Sequence, residues 1–530
     1  MRPSRLSQRR EPRHRANRLF RLTSPAMPQK RPNILMIMAD DHAASAISAY
    51  GSILAEVFRT PHLDRLAAGG VRVDRCFCTN AICTPSRASI LTGLHGHACG
   101  VRTLSDALDA DADTFPRRLR AAGYQTGLYG KWHVHCPPAG FDDYRVLPGQ
   151  GVYFNPHFLG PGDDWASSYH AHHSEGGTRH RGYVTDLVTD FTVEALRNRD
   201  RDRPFLFCCH HKAPHDDFEY HPRHEHLFDG VDVPEPDNLW EDHARRAPCT
   251  RHHGTSVSDR NPVRNAILRM SDPAYPTGPL DVRGLDADGR TRAAYQKYLK
   301  DYLRCCAAID EGVGRLLDTL EEEGLAEDTL VLYTSDQGMF LGEHDYIDKR
   351  WIYDEAMRMP LIARLPGEIP AGGTNGDMIS NVDFAPTLLD YAGLAAPDAM
   401  QGRSFRANLA GDAAEDWPKG VYYRYWMHMA HHHNPAHYGL RTRDHKLIHF
   451  YGLPLDATDA LPGSTPPGWE YYDLRSDPAE NVNRIDDPAC AAVIAGLKKQ
   501  LLALKEELGD ADDRYPEMAA LPTALTAGSA

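Results

Sequence analysis

Six groups of residues along the 530-residue chain carry side chains that could do chemistry. Asp40 and Asp41 end an apolar run at 33–39, and Asp336 and Gln337 follow a second run at 329–334. Hard oxygen donors of this kind suit calcium or magnesium. Cys83 opens Cys83-Thr84-Pro85-Ser86-Arg87, where Pro85 and Ser86 suit a helix start whose free amides favour an anion beside residue 83. Gly130-Lys131-Trp132-His133, Lys212-Ala213-Pro214-His215 and Asp348-Lys349-Arg350 add cations and imidazoles. Each group is weak ground alone: one His among 29 is more often a surface or packing residue than a catalyst, and Asp commonly sits in turns. A cysteine before a helix is a common structural thiol.

Beneath these side chains, 33–39 and 329–334 read as buried strands that deliver polar groups at their carboxyl ends. A helix is predicted to start over 86–94, another over 114–122 closed by Gly123, and strands over 124–129 and 205–209. Residues 292–323 read as a long amphipathic helix interrupted near Gly312 and Gly314. Alternating helices and apolar strands imply an α/β fold, a large mixed and mostly parallel sheet flanked by helices, with ligand sites at the strand carboxyl ends. The stretches 141–183 and 212–290 read as long loops over the core. From about Val421 the pattern changes to short strands, clearest over 438–451, closed by an amphipathic helix over 490–508: a smaller C-terminal antiparallel sheet with a helix. The expected organisation is an N-terminal extension at 1–30, a catalytic domain at 31–415, a smaller subdomain at 416–515 and a flexible tail at 516–530.

The Cys83–Arg87 motif and the run Ala88-Ser89-Ile90-Leu91-Thr92-Gly93 resemble the modification signature of the type I sulfatases, within the alkaline phosphatase superfamily. The resemblance implies that a formylglycine-generating maturation enzyme oxidises Cys83, and that the hydrated aldehyde attacks sulfur with one hydroxyl and expels sulfate through the other. It implies one calcium ion held by Asp40, Asp41, the modified Cys83, Asp336 and Gln337, the last departing from the family's usual Asn or His. It further implies that Lys131 and Lys349 bind sulfate, that Arg87 holds the formylglycine hydroxyl and Asp41, and that His215 and His133 serve as leaving-group acid and base, roles the two histidines could exchange. The segments 342–350 and 428–438 are similar to sulfatases acting on sulfated sugars, including the N-acetylglucosamine-6-sulfatase group, which adds Arg350 and His437 to the expected sugar contacts.

Bulk properties limit the alternatives. A formal charge of -14 disfavours a general nucleic-acid surface but leaves room for a local cationic pocket. Eleven cysteines, an odd number without regular spacing, do not form a disulfide framework, and the pairs at 208–209 and 305–306 lie in apolar stretches that suit buried thiols. Residues 1–26 hold eight Arg and one Glu without the apolar run of a signal or membrane span, so a cytoplasmic location is expected, with translation from Met27 or organellar targeting as other readings. Two further functional readings stay open: a phosphonate monoester or phosphodiester hydrolase of the same superfamily, and a noncatalytic sulfated-sugar-binding protein in which Cys83 is never oxidised. The sequence carries no signal for oligomeric state.

Overall fold

The computed structural model describes residues 31–169 and 173–525, so the expected N-terminal extension and the last five residues of the expected tail lie outside the described residues. Alternation along a strand sends side chains to opposite faces. In β1 (Asn33–Asp40) it divides the core in two: Ile34, Met36 and Met38 face one layer, and Leu35, Ile37 and Ala39 face the other. The sheet is completed by β2 (Val71–Phe77), β3 (Gln125–Lys131), β4 (Asp143–Leu147), β5 (Phe205–Pro214), β6 (Thr329–Ser335), β7 (Arg358–Arg364) and the short β8 (Gly373–Asn375), in the order β8-β2-β7-β6-β1-β5-β3-β4. A two-residue strand at Ile379–Ser380 also pairs with β2. Only β7 runs against its neighbours; the other pairs along this order are parallel. This is the mixed, mostly parallel sheet expected from the alternating pattern.

Helices cover both faces. On the first lie α1 (Cys83–Thr92) and α2 (Phe115–Ala121); on the second lie α3 (Val184–Asn198), the short α4 (Ala266–Met270) and the 36-residue α5 (Ala287–Glu322). The predicted interruption of α5 at Gly312 and Gly314 does not occur. Those glycines instead mark close approaches, since a Cβ on Gly312 would lie 2.7 Å from Thr189 Oγ1 and one on Gly314 would lie 2.5 Å from His62 Nδ1. Strand β5 also outruns its predicted end at Cys209, because β1 and β3 flank it on both sides and supply backbone partners beyond the apolar stretch.

The four-stranded antiparallel sheet is β9 (Gly420–Tyr425), β10 (His437–Thr442), β11 (His445–Phe450) and β12 (Gly468–Asp473), in that order. Its outer face, with Tyr422, Tyr438, Leu440 and Leu447, packs on Ile494, Leu497 and Leu501 of α6 (Ala491–Glu507). Its inner face, with Tyr423, Tyr425, Ile448 and Phe450, joins the same hydrophobic core as α1 and α2. The small sheet therefore shares a core with the main body, and the described residues from Pro32 onward belong to one compact unit. Within the expected tail, 516–525 packs against the small sheet: Trp469 Nε1 donates to the Thr523 carbonyl at 2.9 Å, and Met518 and Leu525 are buried.

Candidate active site

Strand register brings the chemistry-bearing groups to one edge of the large sheet. Asp40 pairs with Pro214 and Ala39 with Ser335, so Asp40-Asp41, the segment Lys212–His215 and Asp336-Gln337 leave three adjacent strands at the same level. On the next strand Gly130 pairs with His210, which sets Lys131 at that edge too. Helix α1 starts at Cys83 against this edge, pinned by Ser86, whose hydroxyl donates to the Asp336 carbonyl and accepts from Asn381 Nδ2.

Asp40, Asp41 and Asp336 are all fully buried, and one carboxylate oxygen from each lies within 4.8 Å of the others. Burial and the charge of Asp40 push Asp336 up to about 8. Burial alone would raise Asp40 as well, but Lys131, His215, Arg87 and Lys349 together hold it well below the usual carboxylate range. Lys131 Nζ binds Asp40 Oδ2 and, at 2.5 Å, Gln150 Oε1. Lys349 Nζ binds Asp41 Oδ2 at 2.5 Å, and Gln337 Nε2 donates to Asp41 Oδ1 at 2.5 Å. Asp40 Oδ1 and Gln337 Oε1 are buried with no partner among the described residues. Three crowded carboxylates, one of them with an unpaired oxygen, and the unpaired Gln337 Oε1 beside them fit a hard divalent cation of the calcium or magnesium kind.

Cys83 is buried, and burial pushes its thiol up from the ordinary range while Lys131 and Lys349 pull it down. Arg87 departs from expectation. Its Nε donates to Asp336 Oδ2 at 2.8 Å and its Nη1 to the Lys131 carbonyl at 2.7 Å, so it braces Asp336 rather than Asp41. Position explains the difference: Arg87 lies one helical turn after Cys83 on α1, whose start is fastened to the Asp336 backbone. Its Nη2 is buried without a partner among the described residues. His133 lies within 3.4 Å of Thr84 Oγ1 through Nδ1, and burial together with Lys131 holds it well below the imidazole range. His215 Nε2 lies 3.8 Å from Asp41 Oδ2, while its Nδ1 faces Asp216.

Asp348 and Arg350 form the adjoining wall, with Arg350 Nε donating to Asp348 Oδ2 at 3.0 Å. Asp41 (φ 68°), His133 (φ 55°), Asp348 (φ 77°) and Arg350 (φ 83°) all hold left-handed backbone, a cost that non-glycine residues bear mainly where surrounding structure enforces it, often at functional sites. His437 does not join them. Its ring is fully buried, stacks on Tyr423 and Tyr425 with centroids 5.6 and 5.5 Å away, and lies against Trp351, while its Nδ1 meets the Pro435 carbonyl at 2.8 Å. As an inward-facing residue of β10 it packs beneath Arg350, whose carbonyl accepts from the Tyr423 hydroxyl, and its Nε2 is buried without a partner among the described residues. The nearby His432 does reach this wall: its Nδ1 lies 2.9 Å from Thr255 Oγ1 and 3.4 Å from Asp348 Oδ2. Gln150 comes from a segment without periodicity or motif, whereas His432 lies in the 428–438 segment already singled out, where nothing separates it from the neighbouring histidines. The eleven cysteines are all free thiols, consistent with the irregular spacing.

The family model described as Sulfatase matches residues 32–394, and the model for the C-terminal part of N-sulphoglucosamine sulphohydrolase matches residues 342–507. An N-acetylglucosamine-6-O-sulfatase of Bacteroides thetaiotaomicron is 39% identical over 524 residues, covering 92% of this chain and 88% of its own. The structure of BT4656 in complex with its substrate, D-glucosamine-2-N,6-O-disulfate, superposes with a TM-score of 0.79 at 36% identity over 92% of this chain and 99% of that one. A phosphonate monoester hydrolase from Silicibacter pomeroyi shares the fold, with a TM-score of 0.67 at 23% identity over 90% of this chain and 96% of that one.

Proposed function

The chain belongs to the sulfatase family, whose members hydrolyse sulfate esters, and on that premise we propose that it removes the 6-O-sulfate of a glucosamine or N-acetylglucosamine unit, using an oxidised Cys83 and one calcium ion. The observation that carries the reading is the convergence of Asp40, Asp41 and Asp336 with Lys131 and Lys349 at the start of the helix that opens with Cys83. Similarity to relatives named for sulfated glucosamine supports the choice of sugar.

In this reading Asp40, Asp41, Asp336 and Gln337 hold the cation. Formylglycine at position 83 would supply the nucleophile, and calcium, when bound, would supply positive charge to the sulfate oxygens. Lys131 and Lys349 would neutralise the nonbridging oxygens, a role supported by their contacts with Asp40 and Asp41. His215 delivers a proton to the leaving alkoxide oxygen as the sulfur–oxygen bond breaks. His133, held neutral near pH 7 by its burial, is suited to take a proton from residue 83. Asp348 and Arg350 offer an acceptor and a donor side by side, the pairing that sugar hydroxyls require.

The test has two parts. Mass spectrometry of the Cys83 peptide, from protein made with a formylglycine-generating enzyme, is expected to show the aldehyde; an intact thiol there contradicts the nucleophile. Parallel rates on nitrophenyl sulfate and phenylphosphonate esters are expected to favour sulfate, and a preference for phosphonate would reassign the chain within its superfamily.

A further inference from the structure

Residues 212–290, read from sequence as a long loop, carry a clamp on the imidazole of His215. His215 leaves the end of β5 with its amide bound to the Lys212 carbonyl at 3.1 Å and its own carbonyl bound by the Tyr153 hydroxyl, so its backbone is fixed on both sides. Its Nδ1 faces two acceptors at once, the Asp216 carbonyl at 2.8 Å and Asp216 Oδ1 at 3.0 Å. A ring nitrogen between two oxygen acceptors must carry hydrogen, so Nε2 is the atom left to exchange a proton on the side of the ring that faces Asp41. Asp216 is held in turn. Arg269, on α4, bonds Asp216 Oδ2 with one guanidinium nitrogen and Asp217 Oδ1 with the other.

Arg269 has its own seat. The Asn265 side chain caps α4 by accepting from Leu268 N at 2.8 Å, and Ala266 N donates to the Ser256 carbonyl at 2.8 Å. Ser256 in turn bridges to Tyr346, two residues before Asp348. The planar guanidinium is suited to hold two neighbouring carboxylates in fixed relation, which an ammonium would do with less directional control.

We propose that Asp216 and Arg269 are positioning residues for the sulfatase reaction: Asp216 fixes the ring and tautomer of His215 so that the Nε2 proton meets the leaving oxygen, and Arg269 fixes Asp216. This rests on the sulfatase reading and on His215 as the leaving-group acid. In the step concerned, the sulfur–oxygen bond of the ester breaks, its electron pair stays on the sugar oxygen, and the proton moves from Nε2 to that oxygen. An acid matters most where the leaving oxygen is basic. A sugar alkoxide needs the proton; a nitrophenolate does not.

The experiment compares wild-type protein, Asp216→Asn, Arg269→Gln and Arg269→Lys, each with oxidised Cys83 verified by mass, on glucosamine 6-O-sulfate and on nitrophenyl sulfate. Positioning of a general acid predicts that Asp216→Asn lowers kcat on the sugar sulfate by roughly 10- to 100-fold at nearly constant KM, with less than about a threefold loss on nitrophenyl sulfate. Arg269→Gln is expected to show the same asymmetry at smaller size, partly rescued in Arg269→Lys. Equal losses on both substrates, or full activity of Asp216→Asn and Arg269→Gln on the sugar sulfate, overturn the proposal. Arg269 lies on the surface side of the pair and its replacement gives an answer even if Asp216→Asn folds poorly. A wild-type protein that releases sulfate from neither ester overturns the parent reading and this one with it.

Discussion

Arg87 concentrates several demands in one side chain. Its guanidinium offsets the charge of Asp336, accepts the cost of full burial, and ties α1 to the end of β3 through the Lys131 carbonyl. Removing one member of a buried pair strands the other charge, so the conservative change is more informative than truncation. Arg87→Lys keeps the charge and loses the fork. It is expected to lower kcat on a sulfate ester by roughly 10- to 100-fold while the far-ultraviolet circular dichroism stays native; wild-type kcat in that variant would show that the fork geometry is dispensable. Asp383 belongs to the same scale but away from the chemistry. Its oxygens accept from the amides of Ser380 and Arg403 at 2.8 Å each, and burial raises it to about 7 from an unfolded value of 3.8. Because the folded value is the higher one, the folded state binds more protons across that interval, and this contribution to stability is present below about pH 4 and lost as pH rises through about 7. Asp383→Asn is expected to flatten the fall of Tm between pH 4 and 7; an unchanged slope would mean that Asp383 ionises freely in the fold.

At the scale of elements, the antiparallel sheet is fastened to the main body by buried charge as well as by aromatic packing. Lys446 of β11 is fully buried, and its Nζ donates to the Ile352 carbonyl at 2.8 Å, Asp354 Oδ1 at 2.7 Å and Glu480 Oε2 at 2.8 Å. Lys446→Met would leave Asp354 with only Arg441 and Glu480 without its cation, a loss on the order of 3–5 kcal/mol. Urea unfolding is the measurement, and a loss below about 1 kcal/mol would place the cluster among surface-like pairs. Much of this level was legible from pattern. The strands ending at Asp40 and at Ser335, the helix after Cys83 and the change to short antiparallel strands near 420 all follow from apolar runs and breakers. Features that depend on distant partners were not. Polarity at 210–212 reads as the end of a strand because periodicity cannot register that β1 and β3 flank it. Likewise glycines at 312 and 314 read as breaks because the crowding that requires them comes from Thr189 and His62. An inward Lys446 in an alternating strand gives no signal at all.

At the scale of the molecule, the large sheet sets the acidic centre and the surrounding segments supply side chains that contact its residues and their neighbours. Asp40, Asp41 and Asp336 could be paired from sequence because each ends a buried strand, whereas Gln150, Asp216, Arg269 and His432 arrive from long connections whose path only tertiary structure reveals. His437 shows the converse, a residue in a suggestive segment that folds into the core. The concentration of carboxylates predicts that a divalent cation stabilises the whole fold: at a calcium concentration 100 times its dissociation constant, binding adds about 2.7 kcal/mol. Chelation is therefore expected to lower Tm and abolish turnover together, with both restored by calcium; a Tm and a turnover indifferent to chelator would contradict the assignment of that cluster.

The central claim is tested most directly by sulfate release from glucosamine 6-O-sulfate, followed by ion chromatography, for protein with oxidised Cys83 beside its Cys83→Ala variant. The account predicts sulfate and desulfated sugar in equal amounts from the first and none above background from the second. Equal release from both, or no release from either while the aldehyde is present at position 83, would contradict it.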